Sequence, residues 1–214
     1  MNRRLLLIAA AIVALGAFAL AAFLYPRLNS PQPVATIENS NLVRFDSIVI
    51  GEQNAPVTIV EWFDPSCEAC RAFYPIVKQI MDRYPGKVRL VLRYAPLHEG
   101  SDEAVRILEA ARKQNLFIPV LETLLMTQPT WAAHGAPDLD RAWQAAGSAG
   151  LDSEKGRMDA AGGDISARLE QEKSDLEALG ISQTPTFYVN GQELIDFGPQ
   201  QLADLVAEAV SKSN

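Results

Sequence analysis

The chain has two cysteines, Cys67 and Cys70, which stand three positions apart with Glu68 and Ala69 between them. Residues spaced in this way on a helix have Cβ atoms about 5–6 Å apart, close enough for a disulfide after a small adjustment. At a helix N-terminus, unpaired N–H groups would stabilise the thiolate of Cys67, whereas Cys70 would be shielded one turn further in. The motif therefore predicts thiol–disulfide exchange, in which Cys67 attacks and Cys70 resolves the mixed disulfide.

Three other uses of such a pair are open at this point. Zinc would need four ligands, but there is no second cysteine pair, and the only histidines, His98 and His134, lack a ligand spacing and are expected in loops or on the surface. A purely structural disulfide would close too short a loop to constrain the unfolded chain much. Two soft thiolates would suit Cu(I), which makes a periplasmic copper-handling module the alternative function.

The segments around the motif predict a strand, a helix and a second strand. Val57–Phe63 is rich in β-branched and aromatic residues, as is typical of a buried strand. A helical pattern starts at Cys67 and runs to about Arg83, with Pro75 inside it, and Val88–Tyr94 then predicts a second strand. A helical crossover of this kind makes the two strands parallel neighbours, with the cysteines at the start of the helix.

The remaining segments complete an α/β fold. Residues 101–179 have helical patterns without strand signals, and they predict a helical block after the second strand. Thr186–Val189 and Glu193–Ile195 flank Asn190-Gly191, a dipeptide favoured in type I′ turns, and predict a hairpin. A last helix is expected after Pro199. The order is therefore a βαβ unit, a helical insertion and a ββα unit, which predicts a mixed sheet covered by helices.

An unbroken apolar run from Leu5 to Leu24 follows Arg3 and Arg4. Twenty helical residues span about 30 Å, the thickness of the hydrocarbon core of a bilayer. The length of the run favours a signal anchor, and small residues near its end allow a cleaved signal peptide instead. Basic residues before the run send the rest of the chain across the membrane, so both interpretations predict a periplasmic domain, tethered to the inner membrane by residues 5–24 if the run is retained.

We expect three parts: residues 1–26 as signal anchor or signal peptide, the polar residues 27–41 as a linker, and residues 42–214 as the exported domain. Strand-like stretches at Leu42–Phe45 and Ile48–Ile50 would begin this domain. Of the 214 residues, 48% are hydrophobic and 21% charged, which is the balance of a chain that buries a core and excludes disorder. The net charge of −7 argues against nucleic acid as a partner.

Four segments resemble the thioredoxin superfamily, and most closely its exported DsbA-like thiol:disulfide oxidoreductases. They are Ala55–Glu61, the helix start at Cys67–Cys70, Tyr94–His98 and Thr184–Gly191. The resemblance spans about residues 50–210 and implies a thioredoxin fold with an inserted helical subdomain at about 101–179. It also implies cysteine-containing exported proteins as substrates, a membrane redox protein that resets the cysteine pair, and no cofactor or metal.

The resemblance further assigns roles outside the motif. Pro185 falls on the cis-proline of the family, and the backbone of Thr184 before it would pair with a substrate strand beside Cys67. Glu61 falls on the buried acid of the family, which would exchange a proton with Cys70 during resolution. An edge-strand glutamate in water is the alternative for Glu61.

Two departures from the family pattern leave the direction of electron flow open among oxidase, isomerase and reductase. Strongly oxidising members carry Pro-His between the cysteines, whereas Glu68-Ala69 stands here, and a carboxylate beside Cys67 opposes its thiolate. Thr184 replaces the valine common in those oxidases and is similar to isomerase and reductase relatives. We therefore expect the pKa of Cys67 at about 5–7, above the lowest value known for such motifs.

Overall fold

The computed structural model describes residue 15 and residues 42–213 of the chain. The predicted anchor or signal peptide, residues 1–26, and the predicted linker, residues 27–41, therefore lie outside the described residues, apart from Leu15. Within the described part of the chain, no helix combines the length and the apolar character that are needed to cross a membrane.

A mixed sheet of five strands forms the centre of the fold in residues 42–213. The strands are β1 (Ile48–Ile50), β2 (Val57–Phe63), β3 (Val88–Tyr94), β4 (Thr186–Val189) and β5 (Gln192–Glu193). They lie side by side in the order β1-β3-β2-β4-β5. β2 and β3 are parallel, as the predicted crossover requires, whereas β1 on β3, β4 on β2 and β5 on β4 pair antiparallel.

Seven helices are present in the described residues, and five of them form the insertion between β3 and β4. α1 (Glu68–Arg83) connects β2 to β3, and α7 (Pro199–Lys212) follows β5. The insertion contains α2 (Ser101–Lys113), α3 (Phe117–Trp131), α4 (Leu139–Ser148), α5 (Ser153–Ala160) and α6 (Gly163–Leu179). Gly180, with φ of 67°, adopts the left-handed conformation that commonly ends a helix, and it ends α6.

Successive residues of β2 point to opposite faces of the sheet. Ile59 and Phe63 belong to the main core cluster, which also contains both cysteines and side chains from α1 and α7. Val60 and Trp62 belong to a smaller cluster on the other face. Glu61 lies between Val60 and Trp62 in sequence, and its side chain therefore shares the face that carries the cysteines.

The order of elements confirms the predicted α/β fold with its helical insertion, but Leu42–Phe45 is not a strand. A turn forms there instead, because the N–H of Arg44 donates to Oγ of Ser47 at 2.9 Å and the N–H of Ser47 donates to the carbonyl of Arg44 at 3.1 Å. Leu42 is buried, and its carbonyl accepts a hydrogen bond from the buried guanidinium of Arg93 at 2.9 Å. These side-chain bonds hold the segment to the sheet without ladder pairing.

The second strand of the hairpin also differs from the prediction. It comprises Gln192–Glu193 rather than Glu193–Ile195. Asn190 and Gly191 have φ of 48° and 84°, as a two-residue type I′ turn requires, so pairing begins with Gln192 opposite Val189. The chain then leaves the sheet after Glu193.

Candidate active site

Cys67 occupies the cap position at the N-terminus of α1, and Cys70 lies in the first turn of that helix. Both are free thiols. The N–H of Cys67 donates to the carbonyl of Asp64 at 3.1 Å, and its thiol donates to the carbonyl oxygen of Thr184 at 3.3 Å. Cys67 is 5% exposed and Cys70 is 0% exposed, so only Cys67 offers surface to another molecule.

The surroundings of the two thiols separate their pKa values. Hydrogen bonding from the Cys70 thiol, assisted by the side chain of Thr184 and by the N–H groups of Cys70 and Ala69, outweighs burial and lowers the pKa of Cys67 to about 5. Burial, and then the hydrogen bond to Cys67, raises the pKa of Cys70 well above its usual value. At neutral pH, Cys67 is therefore a thiolate and Cys70 is a protonated thiol, which is the division that exchange chemistry requires.

Glu61 lies in the interior of β2 and is fully buried. The edge-strand alternative was wrong, because β3 and β4 pair with β2 on either side. In the described part of the chain, neither carboxylate oxygen of Glu61 has a hydrogen-bond partner. Burial, and then the negative charge of Cys67, raises the pKa of Glu61 to about 8. A carboxyl group with such a pKa can take up or release a proton near neutral pH.

The other residues singled out in the sequence lie around Cys67. The Thr184–Pro185 peptide bond is cis, and the carbonyl of Thr184 contacts the Cys67 sulfur. Glu68 is the first residue of α1, and its side chain is exposed to solvent. Ala69 is half-buried and packs against the main core cluster. The structure thus brings the motif and Thr184 together, with Glu61 on the adjoining face of the sheet.

Asp64 is a buried residue of the site that the sequence interpretation missed. Its carboxylate accepts hydrogen bonds from the N–H groups of Ser66 at 2.8 Å, Leu97 at 2.8 Å and His98 at 3.0 Å, and from the Ser101 hydroxyl at 2.6 Å. It also lies 2.7 Å from Nδ1 of His98. These bonds hold the loop before α1 against the loop after β3. An aspartate between an apolar strand and a Pro-Ser dipeptide was the available signal, because it is typical of an Asx turn.

The two histidines lie in loops, as predicted. Although they are far apart in sequence, both lie near the cysteine motif. Their ring centroids are 6.1 Å apart, and Nε2 of His134 lies 3.9 Å from a carboxylate oxygen of Glu68. Burial alone would lower the pKa of His98, but the hydrogen bond with Asp64 and the negative charges of Asp64, Cys67 and Glu68 outweigh it, and the pKa is raised. No spacing in the sequence indicated this proximity.

Gln128 of α3 is a second residue that the sequence interpretation missed. It is 2% exposed, and its amide nitrogen bonds to the loop that carries Cys67. Nothing in the sequence singled it out, because the same helix also contains Glu122 and three threonines.

A family model and a solved structure both relate the chain to thioredoxin-like proteins. The family model described as thioredoxin matches residues 45–208. A thioredoxin-like oxidoreductase from Silicibacter pomeroyi has a crystal structure with a TM-score of 0.70 and 30% identity, and the match covers 82% of this chain and 98% of that one. The structure of alpha-DsbA1 from Wolbachia pipientis has a TM-score of 0.70 at 17% identity and covers 80% of this chain and 94% of that one, which shows a common fold.

Among curated sequences, the Na(+)/H(+) antiporter NhaA 3 of Salinispora tropica is 31% identical over 170 residues. The match covers 76% of this chain but only 24% of the antiporter, so the chain spans about a quarter of this relative's length. Since the thioredoxin model covers well over half of the sequence and the fold matches that of DsbA proteins, the chain belongs to the thioredoxin family and has its DsbA-like fold with a helical insertion.

Proposed function

We propose that the chain is an extracytoplasmic thiol–disulfide oxidoreductase that acts on cysteines of exported proteins. The observation that carries the proposal is the contrast between the two thiols. Cys67 stands at a helix N-terminus with a pKa of about 5, beside a fully buried Cys70 whose pKa is raised. A cysteine pair with a purely structural role needs no difference in pKa between its thiols. Exchange needs one thiolate that attacks the substrate and one protonated thiol that resolves the mixed disulfide afterwards.

Exchange proceeds through a mixed disulfide. In the reducing direction, the Cys67 thiolate attacks one sulfur of a substrate disulfide, and the other substrate sulfur leaves as a thiolate. Cys70 then gives up its proton and attacks the sulfur of Cys67, which releases the first substrate sulfur as a thiolate. The substrate gains two electrons and the Cys67–Cys70 disulfide forms. The reverse sequence oxidises two substrate thiols, and the relative reduction potentials set the direction.

Glu61 is the proposed proton acceptor for Cys70. The charge of the Cys67 thiolate contributes to the raised pKa of Glu61. That charge disappears when Cys67 enters a mixed disulfide, so Glu61 ionises more readily at the step in which Cys70 must lose its proton. In the reverse direction, Glu61 returns the proton to Cys70 as it leaves.

The substrate is proposed to lie as an extended segment along Thr184 and Pro185, because the Thr184 carbonyl lies within hydrogen-bond distance of the Cys67 sulfur. Apolar surface lies on the loop after β5, where Ile195 is 69% exposed and Phe197 is 49% exposed. Phe197 packs on Phe73 of α1 with ring centroids 4.6 Å apart. Such a surface suits an unfolded segment of a newly exported protein.

The apolar run at residues 5–24 supports a periplasmic location, tethered to the inner membrane where the run is retained. A membrane redox protein would reset the cysteine pair after each turnover, because the substrate leaves the pair in the opposite redox state. Glu68 and Ala69, which stand between the cysteines, would tune the potential and thus the preferred direction.

Catalysed insulin reduction and oxidative refolding of a reduced substrate protein test the proposal on the full chain in mild detergent. Turnover in either assay supports it, and a Cys67→Ser/Cys70→Ser double variant is the matched control that must be inactive. Titration with Cu(I) tests the alternative. Stoichiometric tight Cu(I) binding without turnover in either exchange assay would overturn the proposal in favour of a copper-handling module.

A further inference from the structure

Asp64 joins the imidazole of His98 to both cysteines. Its carboxylate holds His98 through the backbone N–H at 3.0 Å and through Nδ1 at 2.7 Å. Its own main chain accepts from the N–H of Cys67 at 3.1 Å and donates to the sulfur of Cys70 at 3.5 Å. The ring of His98 is therefore fixed relative to the redox pair by a fully buried residue.

Several charged or titratable groups face His98 from different elements. Asp64 approaches from the loop before α1, Glu68 belongs to the first turn of α1, and His134 approaches from the loop after α3 with its ring centroid 6.1 Å away. Glu99, which follows His98 in the loop after β3, lines a cavity of about 50 Å³ together with both histidines. The side chain of His98 is 34% exposed, so its ring can exchange protons with solvent.

We propose that His98 couples the uptake of a further proton to reduction of the Cys67–Cys70 pair, and so makes the oxidising strength of the pair depend more steeply on pH. This inference rests on the proposed function. Reduction of the disulfide by two electrons and one proton gives the Cys67 thiolate and the Cys70 thiol. An imidazolium at His98 stabilises that thiolate, and a second proton therefore enters at His98 when the pH lies between its pKa values in the two redox states.

The direction of the pH effect follows from the linkage between proton binding at His98 and reduction of the cysteine pair. The negative charge of Cys67 is among the causes that raise the pKa of His98, and this charge exists only in the reduced pair. The pKa of His98 is therefore higher in the reduced protein than in the oxidised protein. By reciprocity, protonated His98 stabilises the reduced form and makes the disulfide a stronger oxidant at low pH, and the effect disappears once His98 is neutral in both states.

No residue that can carry a positive charge stands between the cysteines, and His98 places such a group near them from another part of the chain. The dipeptide there contributes a carboxylate, Glu68, whereas the positive charge comes from a loop about thirty residues further along the chain. Because Asp64 holds the ring through Nδ1, an asparagine at position 98 can donate to the same carboxylate with its amide nitrogen. His98→Asn therefore removes the titrating charge and keeps the bond that positions the loop.

The first test is an NMR titration of the imidazole signals of the full chain in the reduced and oxidised states. The sequence has only two histidines, so His98→Asn and His134→Asn assign both signals. We expect the pKa of His98 to fall by about half a unit on oxidation, because its partial exposure weakens the interaction. The signal of His134, whose side chain is 70% exposed, serves as the internal reference. Equal His98 pKa values in the two states would overturn the inference.

The second test is the equilibrium with glutathione at pH 6 and pH 8.5, for the wild type, His98→Asn and the matched control His134→Asn. At pH 6 the His98→Asn pair should be about threefold less oxidising, which is about 14 mV, and at pH 8.5 it should equal the wild type. A gap that is the same at both pH values, or absent at both, would overturn the inference alone. Failure of the wild-type pair to exchange with glutathione at all would instead overturn the proposed function.

Discussion

The amide nitrogen of Gln128 donates to the carbonyl oxygens of Pro65 at 2.8 Å and Cys67 at 3.0 Å. Gln128 lies in the last turn of α3, within the helical insertion, whereas the two carbonyls belong to the loop before α1 and to the residue that caps α1. The insertion therefore holds the backbone at Cys67 directly, because the buried side chain of Gln128 bonds to the end of the loop before α1.

Replacement of Gln128 by methionine keeps the volume of the side chain and removes both hydrogen bonds. Two buried carbonyls then lose a partner, so we expect the free energy of unfolding to fall by about 1–3 kcal/mol, with slower alkylation of Cys67. Urea denaturation measures the first effect. Gln200→Met, on the exposed side of α7, is the control and should change stability by less than about 0.5 kcal/mol. An equal effect in both variants would contradict this role of Gln128.

The two cysteines should fail in different ways when each is replaced by serine. Cys67→Ser should abolish exchange, because the thiolate of Cys67 is the proposed nucleophile. Cys70→Ser should accumulate mixed disulfides through Cys67, because no thiol resolves them. Mass spectrometry of the trapped adducts distinguishes the outcomes. Iodoacetamide at pH 7 should label Cys67 of the reduced wild type first, and faster labelling of Cys70 would reverse the assignment.

Glu61→Gln should keep the first attack by Cys67 and slow the resolving step by Cys70. The carboxylate that accepts the Cys70 proton is absent in this variant, but water partly substitutes for it, so we expect a loss on the order of 10-fold. Stopped-flow measurement of mixed-disulfide decay between pH 6 and pH 8 checks this. An unchanged decay rate across that range would remove Glu61 from the proton transfer.

The same residue should make stability depend on pH. The pKa of Glu61 is raised to about 8 in the folded protein, from the ordinary value of 4.5. Between these values the folded state binds more protons than the unfolded state, so the contribution of Glu61 to stability is fully present below pH 4.5 and is lost as the pH rises to 8.

Glu61→Gln should therefore be more stable than the wild type at pH 8 by a margin on the order of a few kcal/mol, and the margin should shrink toward pH 5. Urea unfolding of the reduced proteins measures it. Glu52→Gln, which alters an exposed carboxylate, is the matched control and should show no such trend. A margin that does not change with pH would show that Glu61 ionises normally.

Replacement of Glu68-Ala69 by Pro-His should lower the pKa of Cys67 and raise the reduction potential together. Glu68 is the first residue of α1, a position that accepts proline without breaking the helix. Loss of the carboxylate and gain of an imidazole both favour the thiolate, so the two shifts should scale at about 30 mV per pKa unit. Thiolate absorbance against pH and equilibrium with glutathione measure them. A potential that does not rise would show that residues outside the dipeptide set it.

Local pattern was sufficient for the elements that carry the cysteines. β2 and β3 have the predicted bounds, because each is rich in β-branched and other apolar residues and is followed within two positions by a proline. The contacts that complete the site were not predictable from one sequence. Asp64 meets His98 across 34 residues, and Gln128 meets Cys67 across 61, so each pair depends on how the loops and the insertion pack. Short-range rules on spacing and capping do not contain that information.

The contact between the Cys67 thiol and the Thr184 carbonyl has a consequence for access to the site. A thiol donates to that oxygen, whereas a thiolate has no proton to donate, so ionisation of Cys67 releases the oxygen for another donor. With a pKa of about 5, the release is complete at neutral pH. Loss of one proton therefore has two effects at once. It makes the sulfur of Cys67 a nucleophile, and it frees the Thr184 carbonyl to accept a hydrogen bond from the N–H of an incoming peptide.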